Sequence, residues 1–460
     1  MTKIVADDKR GRRRRVMIAM AVTLSLLPFF AIEWAVRTFA TVPDAVDVDP
    51  VAGMEHLRPL FELDAESQRY VIPDWRLKFF YPDSFAQTKP AGTRRIFVLG
   101  GSTVAGRPYA TETAFSTWLR LRLEAAAPEA KFEVVNCGGV SYASYRVSKL
   151  LDEVLRFEPD AIVLYTGHNE FLEDRSYAAV RELGWGRRAA TRVAAHWATV
   201  GWLQRKFASH ADPTNAVTLS AEVDTRLDHV GGLDAYRDDP GWRREVESQF
   251  HQTLTKMIDT TKAAGVPMIA CVPAGDLINT PPFKSDTSNA HTNAMACYMI
   301  GRSRFEGGRS DEAKQLLVMA RESDLCPLRA TTAIVDSVRV LCKQSGVPVV
   351  DTERILDTRD FRGARVPDGI VDPQFFADHV HPTIAGHQRI ADAIANQFAS
   401  LGWIQIDDGA ADRYEDAARR HLDSLDETYY ARGDQRLAGL KRWAAGRGGS
   451  PIAEDEKPLE

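Results

Sequence analysis

From residue 94 onward the chain alternates between two apolar patterns. Residues 95–99, 132–135, 161–165, 267–272 and 347–350 are short, nearly unbroken apolar runs, the pattern of strands buried on both faces. Between them lie stretches with helical spacing. Residues 115–126 and 148–157 are two of these, and 384–398 form a closing one. In residues 242–264, Val246, Phe250, Leu254, Met257 and Ile258 share one helical face. Apolar runs alternating with helices predict a parallel sheet covered on both sides, a three-layer α/β/α sandwich of about five strands. The domain built this way is expected over residues 91–400, after a Pro-punctuated lead-in at 37–90 that carries no strong period.

Two insertions interrupt the alternation. Residues 178–240 hold a basic, Trp-bearing stretch (Trp185, Arg187, Arg188, Arg192, Trp197, Trp202), read either as a helix packed on the core or as a lid or membrane-facing surface near the site. Residues 286–330 resemble one tetratricopeptide-type helical hairpin, with Gly301, Ala313, Leu317 and Ala320 where two helices would pack closely. A second helical hairpin and a polar tail are expected over 401–460.

The N-terminus changes the picture most. Residues 1–15 form a basic, cytoplasmic start, and residues 16–32 follow without a charge; apolar character resumes after Glu33 as far as Val36. A positive flank before an apolar stretch of about 20 residues predicts a single-pass transmembrane anchor at 16–36. The rival reading is a cleaved signal peptide, for which residues 38–40 offer a weak processing site. Either way, everything after residue 40 is expected outside the cytoplasm. The formal net charge is −5, and residues 1–15 carry seven Lys/Arg against two Asp, so the remaining 445 residues carry −10. A body that acidic argues against a nucleic-acid partner. With 44% hydrophobic and 26% charged residues the chain is globular in composition. Its five cysteines form no CxxC pair; Cys297 and Cys326 could pair in an oxidising compartment or stay as buried thiols.

Candidate chemistry gathers where strands end and helices begin, as it does in parallel α/β sheets. Gly100-Gly101-Ser102-Thr103 follows the first run. Asn136-Cys137-Gly138-Gly139-Val140-Ser141 follows the second, and Gly167-His168-Asn169-Glu170 the third. Asp378-His379-Val380-His381-Pro382 stands just before the closing helix. These four stretches, in this order, resemble the blocks of the SGNH/GDSL hydrolases over residues 94–175 and 346–398. With the flanking words Tyr165-Thr166-Gly167-His168-Asn169-Glu170-Phe171-Leu172-Glu173 and Pro327-Leu328-Arg329-Ala330, they are similar to a bacterial, membrane-tethered subgroup with tetratricopeptide-like helices. The resemblance implies an SGNH/flavodoxin-like fold and a catalytic triad of Ser102, Asp378 and His381. It also implies an oxyanion hole from the Ser102 amide, the Asn169 side chain and one amide of the second block. The usual glycine of that block falls, by counting from Asn136, on Ser141, with Gly139 the alternative owner. The usual Asp before the nucleophile is here Gly101.

Other residues weighed against blander readings are His168, Arg146 and Arg329, possible contacts to substrate or structural groups. Glu170 could simply cap a turn, and His387 reads as a surface residue of the closing helix. His379 and His381 are not expected to share a metal, because residues two apart on an extended segment point to opposite sides. The stretch 101–107 lacks the Lys-Ser/Thr pair of a phosphate loop. No cofactor or metal is expected. The expected function is a serine esterase acting on O-acyl, possibly O-acetyl, esters of an envelope glycan or lipid from the periplasmic side of the inner membrane. An O-acyltransferase using the same triad, and a non-catalytic scaffold binding a protein partner through its helical hairpins, are the alternatives.

Overall fold

The computed structural model describes residues 59–173, 223, 225–228, 232–286, 293–357 and 370–445, together with Met17 and Trp34. The expected anchor at 16–36 (Met17 and Trp34 apart) and the Trp/Arg-rich part of the 178–240 insertion lie outside the described residues. Among those described, no helix is long and apolar enough to cross a membrane.

Five strands form one parallel sheet: β4 (Thr93–Gly100), β5 (Lys131–Gly138), β6 (Ala161–Tyr165), β7 (Met268–Cys271) and β8 (Val349–Val350), in the order β5-β4-β6-β7-β8. Each coincides with one of the five apolar runs. Residues of β4 are buried from Arg95 to Gly100, which is why its sequence shows no polar alternation. Helices α2 (Phe115–Ala126), α9 (Ile384–Ser400) and α10 (Ala410–Asp423) pack together on one face. Helices α3 (Ser144–Val154), α4 (Pro240–Ala263) and α7 (Thr332–Ser345) cover the other. Alternate strand residues serve the two layers: Ile96, Val98, Val163 and Ile269 join Trp118, Leu119, Ile390 and Ile394 in one core.

Local chemistry sets where several helices begin. Asp239 caps α4, its Oδ1 accepting from the Trp242 amide at 2.8 Å with Pro240 in the first turn. Thr383 caps α9, its hydroxyl accepting from the Gly386 amide at 3.3 Å. Helices α5 (Ala294–Glu306) and α6 (Ser310–Glu322) form a hairpin in which Gly301 admits Leu316 and Leu317. Helix α11 (Glu427–Ala444) follows α10.

Two features differ from the sequence expectation. The lead-in contains a small antiparallel sheet, β1 (Glu62–Asp64), β2 (Arg69–Val71) and β3 (Ser84–Ala86). Its strands are three residues long, too short for a period to register. It is tied to the main domain by Glu153 of α3, whose carboxylate accepts from the Leu60 and Phe61 amides at 2.8–2.9 Å. Helix α7 was also not anticipated. All five cysteines are buried free thiols, Cys297 and Cys326 included.

Candidate active site

Strand β4 lies between β5 and β6, so the chain leaves it to one side for β5 and later to the other for β6. A crevice opens at such a reversal of strand order, beyond the carboxyl ends of the strands. Ser102 stands there, first residue of the one-turn helix α1 (Ser102–Ala105), which Gly106 ends in a left-handed conformation at φ 91°.

Ser102 Oγ lies 2.7 Å from His381 Nε2, and His381 Nδ1 lies 2.7 Å from Asp378 Oδ2. A carboxylate only accepts, so Nδ1 carries the ring proton and Nε2 is left to accept from the serine hydroxyl. Asp378 Oδ1 accepts from the amides of Val380 and His381 at 3.0 and 2.9 Å. Burial alone would raise its pKa. The adjoining His381 and His379, with these hydrogen bonds, outweigh burial and hold Asp378 well below the usual carboxylate range. The Asp378 and His381 side chains are 5% and 4% exposed, whereas Ser102 is half-buried, so the hydroxyl end of the chain reaches outward.

The same two amide bonds overturn one sequence argument. Residues 378–381 are curled around the Asp378 carboxylate rather than extended. His379 and His381 therefore lie on the same side, ring centroids 5.9 Å apart, with His379 Nδ1 3.5 Å from Asp378 Oδ1. Burial pushes His379 down to about 4. Among the described residues no group of three or more His, Cys, Asp or Glu could hold a metal ion.

In the turn at 139–142 three of the four amides have backbone partners among the described residues. Gly139 N–H donates to Gly100 O at 3.0 Å, Val140 N–H to Phe79 O at 2.7 Å and Tyr142 N–H to Gly139 O at 3.1 Å. The Ser141 amide has no such partner among the described residues, and Ser141 sits at φ 62°, a left-handed conformation uncommon outside glycine. The Gly139 amide is thus already engaged by the backbone, and the counted glycine position, Ser141, is the one with a glycine-like backbone. The Ser102 amide is also unengaged among the described residues. Asn169 Nδ2 donates one hydrogen to Tyr142 O at 3.0 Å, which leaves its second hydrogen to donate elsewhere. Gly101 makes room for it: a Cβ there would lie 2.6 Å from Asn169 Nδ2.

The other candidates are engaged by groups of the protein itself. Arg146 is buried and forms a two-pronged pair with Glu173, Nε–Oε2 at 2.8 Å and Nη2–Oε1 at 2.6 Å. Arg329 is buried and donates to the carbonyls of Asp276 and Thr280 at 2.8 and 2.9 Å, bracing the loop after β7. His168 accepts from the Ala330 amide at 3.2 Å, and burial pushes it down to about 3. His387 is no surface residue. It is fully buried against Phe115, whose amide donates to its Nδ1 at 3.2 Å, and burial takes it to about 3. Its position on the inner face of α9 follows from Ile390 and Ile394, three and seven residues on, a spacing visible in the sequence.

Sequence reasoning missed the parts that hold these loops together. Glu170 accepts from both the amide and the hydroxyl of Ser144, at 2.7 and 2.9 Å. Thr103 Oγ1 donates to Val380 O at 3.4 Å, joining the nucleophile helix to the histidine loop. Only the adjacency of Glu170 to Asn169 offered a signal.

Among solved structures, the chain is similar to a lipase/acylhydrolase from Enterococcus faecalis, with 15% identity, coverage of 68% of this chain and 98% of that one, and a TM-score of 0.34. It is similar to an acetylxylan esterase from Geobacillus stearothermophilus, with 14% identity, 68% and 96% coverage, and a TM-score of 0.33. A third is a lipolytic protein of the G-D-S-L family from Desulfitobacterium hafniense, with 11% identity, 66% and 98% coverage, and a TM-score of 0.30. No family model matches the chain, and no curated protein does.

Proposed function

We propose that the protein is a serine esterase of the SGNH type that works through an acyl-enzyme on Ser102. The observation that carries this reading is the unbroken chain Ser102 Oγ–His381 Nε2 and His381 Nδ1–Asp378 Oδ2, both at 2.7 Å. His381 takes the hydroxyl proton as Ser102 Oγ attacks the ester carbonyl carbon. Negative charge then develops on the carbonyl oxygen, within reach of donors from Ser102 N–H, Ser141 N–H and Asn169 Nδ2, each worth about 3–4 kcal/mol in such sites. As the carbon–oxygen bond breaks, His381 gives the proton to the leaving alkoxide and the acyl group stays on Ser102. Water, deprotonated by the same imidazole, attacks the acyl-enzyme and releases the acid. Asp378 holds the imidazole tautomer and stabilises its charged form throughout.

The preferred substrates in this reading are O-acyl, possibly O-acetyl, esters of an envelope glycan or lipid. Support for that finer statement comes from the sequence: the basic residues 9–15 before the uncharged residues 16–32 suit an inner-membrane anchor with the enzyme on the periplasmic side.

The test uses the full chain and its Ser102→Ala variant. Wild-type protein is expected to take a fluorophosphonate label and hydrolyse p-nitrophenyl acetate, with the variant unlabelled and slower by about 10⁴-fold or more. Equal behaviour of the two folded proteins in both assays sinks the proposal.

A further inference from the structure

Two loops carry the proposed oxyanion donors other than the nucleophile's own amide. One is the turn 139–142 with Ser141; the other follows β6 and holds Asn169. Neither is regular secondary structure, and a donor misplaced by about 1 Å can cost about 10²-fold in rate. What holds them in mutual register is therefore a functional question.

Three side chains cross between the loops in sequence order. Asn169 Nδ2 donates to Tyr142 O at 3.0 Å. Ser144 N–H donates to Glu170 Oε1 at 2.7 Å and Ser144 Oγ–H to Glu170 Oε2 at 2.9 Å. Arg146 pairs with Glu173 through two bonds of 2.8 and 2.6 Å. Glu170 is the middle member, and its carboxylate is buried with 1% exposure. It follows Asn169 directly, while Ser144 lies three residues after Ser141 as the first residue of α3. Both carboxylate oxygens thus act on one residue, so the β6 loop cannot rotate without releasing two hydrogen bonds in a dry environment.

We infer that Glu170 is a positioning residue that locks the Asn169 loop to the Ser141 turn and so sets the geometry of the oxyanion donors. It touches neither the reacting atoms nor, being buried, an open surface. The inference rests on the proposed acyl-transfer reading.

The variants E170A, E170Q and S144A of the full chain, with p-nitrophenyl acetate as substrate, test it. E170A removes both bonds, and kcat is expected to fall about 10- to 100-fold with KM within about threefold. Binding of a trifluoromethyl ketone, which forms a tetrahedral oxyanion on the serine, is expected to weaken by a similar factor. E170Q can still accept from the Ser144 amide and donate to its hydroxyl, so it should return to within about fivefold of wild type. S144A keeps the main-chain bond and should lose about 3- to 10-fold in kcat. A folded E170A with kcat within twofold of wild type overturns the inference, as does a loss that falls on KM alone. If E170A does not fold, an unchanged kcat in S144A overturns it equally. Absence of Ser102-dependent turnover in the wild type is a different failure: it removes the acyl-transfer reading and this inference with it.

Discussion

At the scale of single residues, Gly101 shows how little room the site has. Its backbone is extended, with φ −90°, so conformational freedom is not what demands glycine. Space is: a Cβ would meet Asn169 Nδ2 at 2.6 Å and Tyr142 O at 3.2 Å. The Asn169 amide is the softer of the two neighbours and would move. Gly101→Ala is therefore expected to lower kcat by up to about 10²- to 10³-fold, as loss of one oxyanion donor does, with KM little changed. In an Asn169→Ala background the same substitution should add almost nothing, because the group it displaces is gone. Additive losses in a kinetic double-mutant cycle would contradict the steric account. Ser102, His381 and Asp378, which the fold brings into one hydrogen-bonded chain, were legible in the sequence because each stands in a short block with a recognisable order. The owner of the second amide was not. That depends on which of several consecutive N–H groups the fold leaves unengaged, and Phe79 O and Gly100 O, which engage two of them, come from elsewhere in the chain.

At the scale of elements, the helix after β5 and the loop after β6 are joined by a buried ion pair. Arg146 and Glu173 have side chains 0% and 3% exposed. Removing one partner of such a pair costs about 3–5 kcal/mol, part of which the Tyr145 hydroxyl, also bound to Glu173, offsets here. Arg146→Met is expected to destabilise the protein by that order in urea unfolding, and Arg146→Met with Glu173→Met to regain much of the loss. A single variant as stable as wild type would show that the pair contributes nothing to the fold. Nothing in the sequence separates this arginine from one that binds an anionic substrate. Both need a cation at the start of a helix, and only burial distinguishes them. The same holds for Arg329, which braces the loop after β7. That loop in turn meets the histidine segment, since Asp276 N–H donates to His379 O at 3.0 Å.

At the scale of the whole molecule, His168, His379 and His387 are buried where burial favours the neutral imidazole. Burial pushes His168 and His387 to about 3 and His379 to about 4. An unfolded chain titrates its histidines near 6.5, so below that pH the unfolded state binds protons that the folded state does not. Their contribution to stability is complete above about 6.5 and is lost as pH falls toward 4. Buried carboxylates act in the opposite sense, with Asp83 and Asp324 both raised to about 6 by burial, so the comparison must be between variants. His387→Gln keeps an acceptor for the Phe115 amide and removes the titration. Its stability should fall less steeply than wild type between pH 6.5 and 4.5, by about 1.4 kcal/mol for each pH unit. Urea unfolding at pH 7.5 and 5.0 measures this, and parallel slopes would mean that His387 is protonated in the folded state.

By itself the sequence determined the five strands of the parallel sheet and most of the helices around it, and it singled out Ser102, Asp378 and His381, whose side chains the fold brings together. Continuous burial writes an apolar run, helical burial writes a 3.6-residue period, and a strand-end motif is short enough to survive as local order. Tertiary structure alone decided the order β5-β4-β6-β7-β8, which puts Ser102 at the reversal point. It alone separated buried Arg146, Arg329 and His387 from surface or ligand-facing ones. It also curled residues 378–381 so that two imidazoles flank one carboxylate, and it engaged three of the four amides from 139 to 142, leaving that of Ser141 without a backbone partner among the described residues. Each of these depends on groups far apart in the chain meeting in space, and no local pattern of residues records which distant partner a buried polar atom will find.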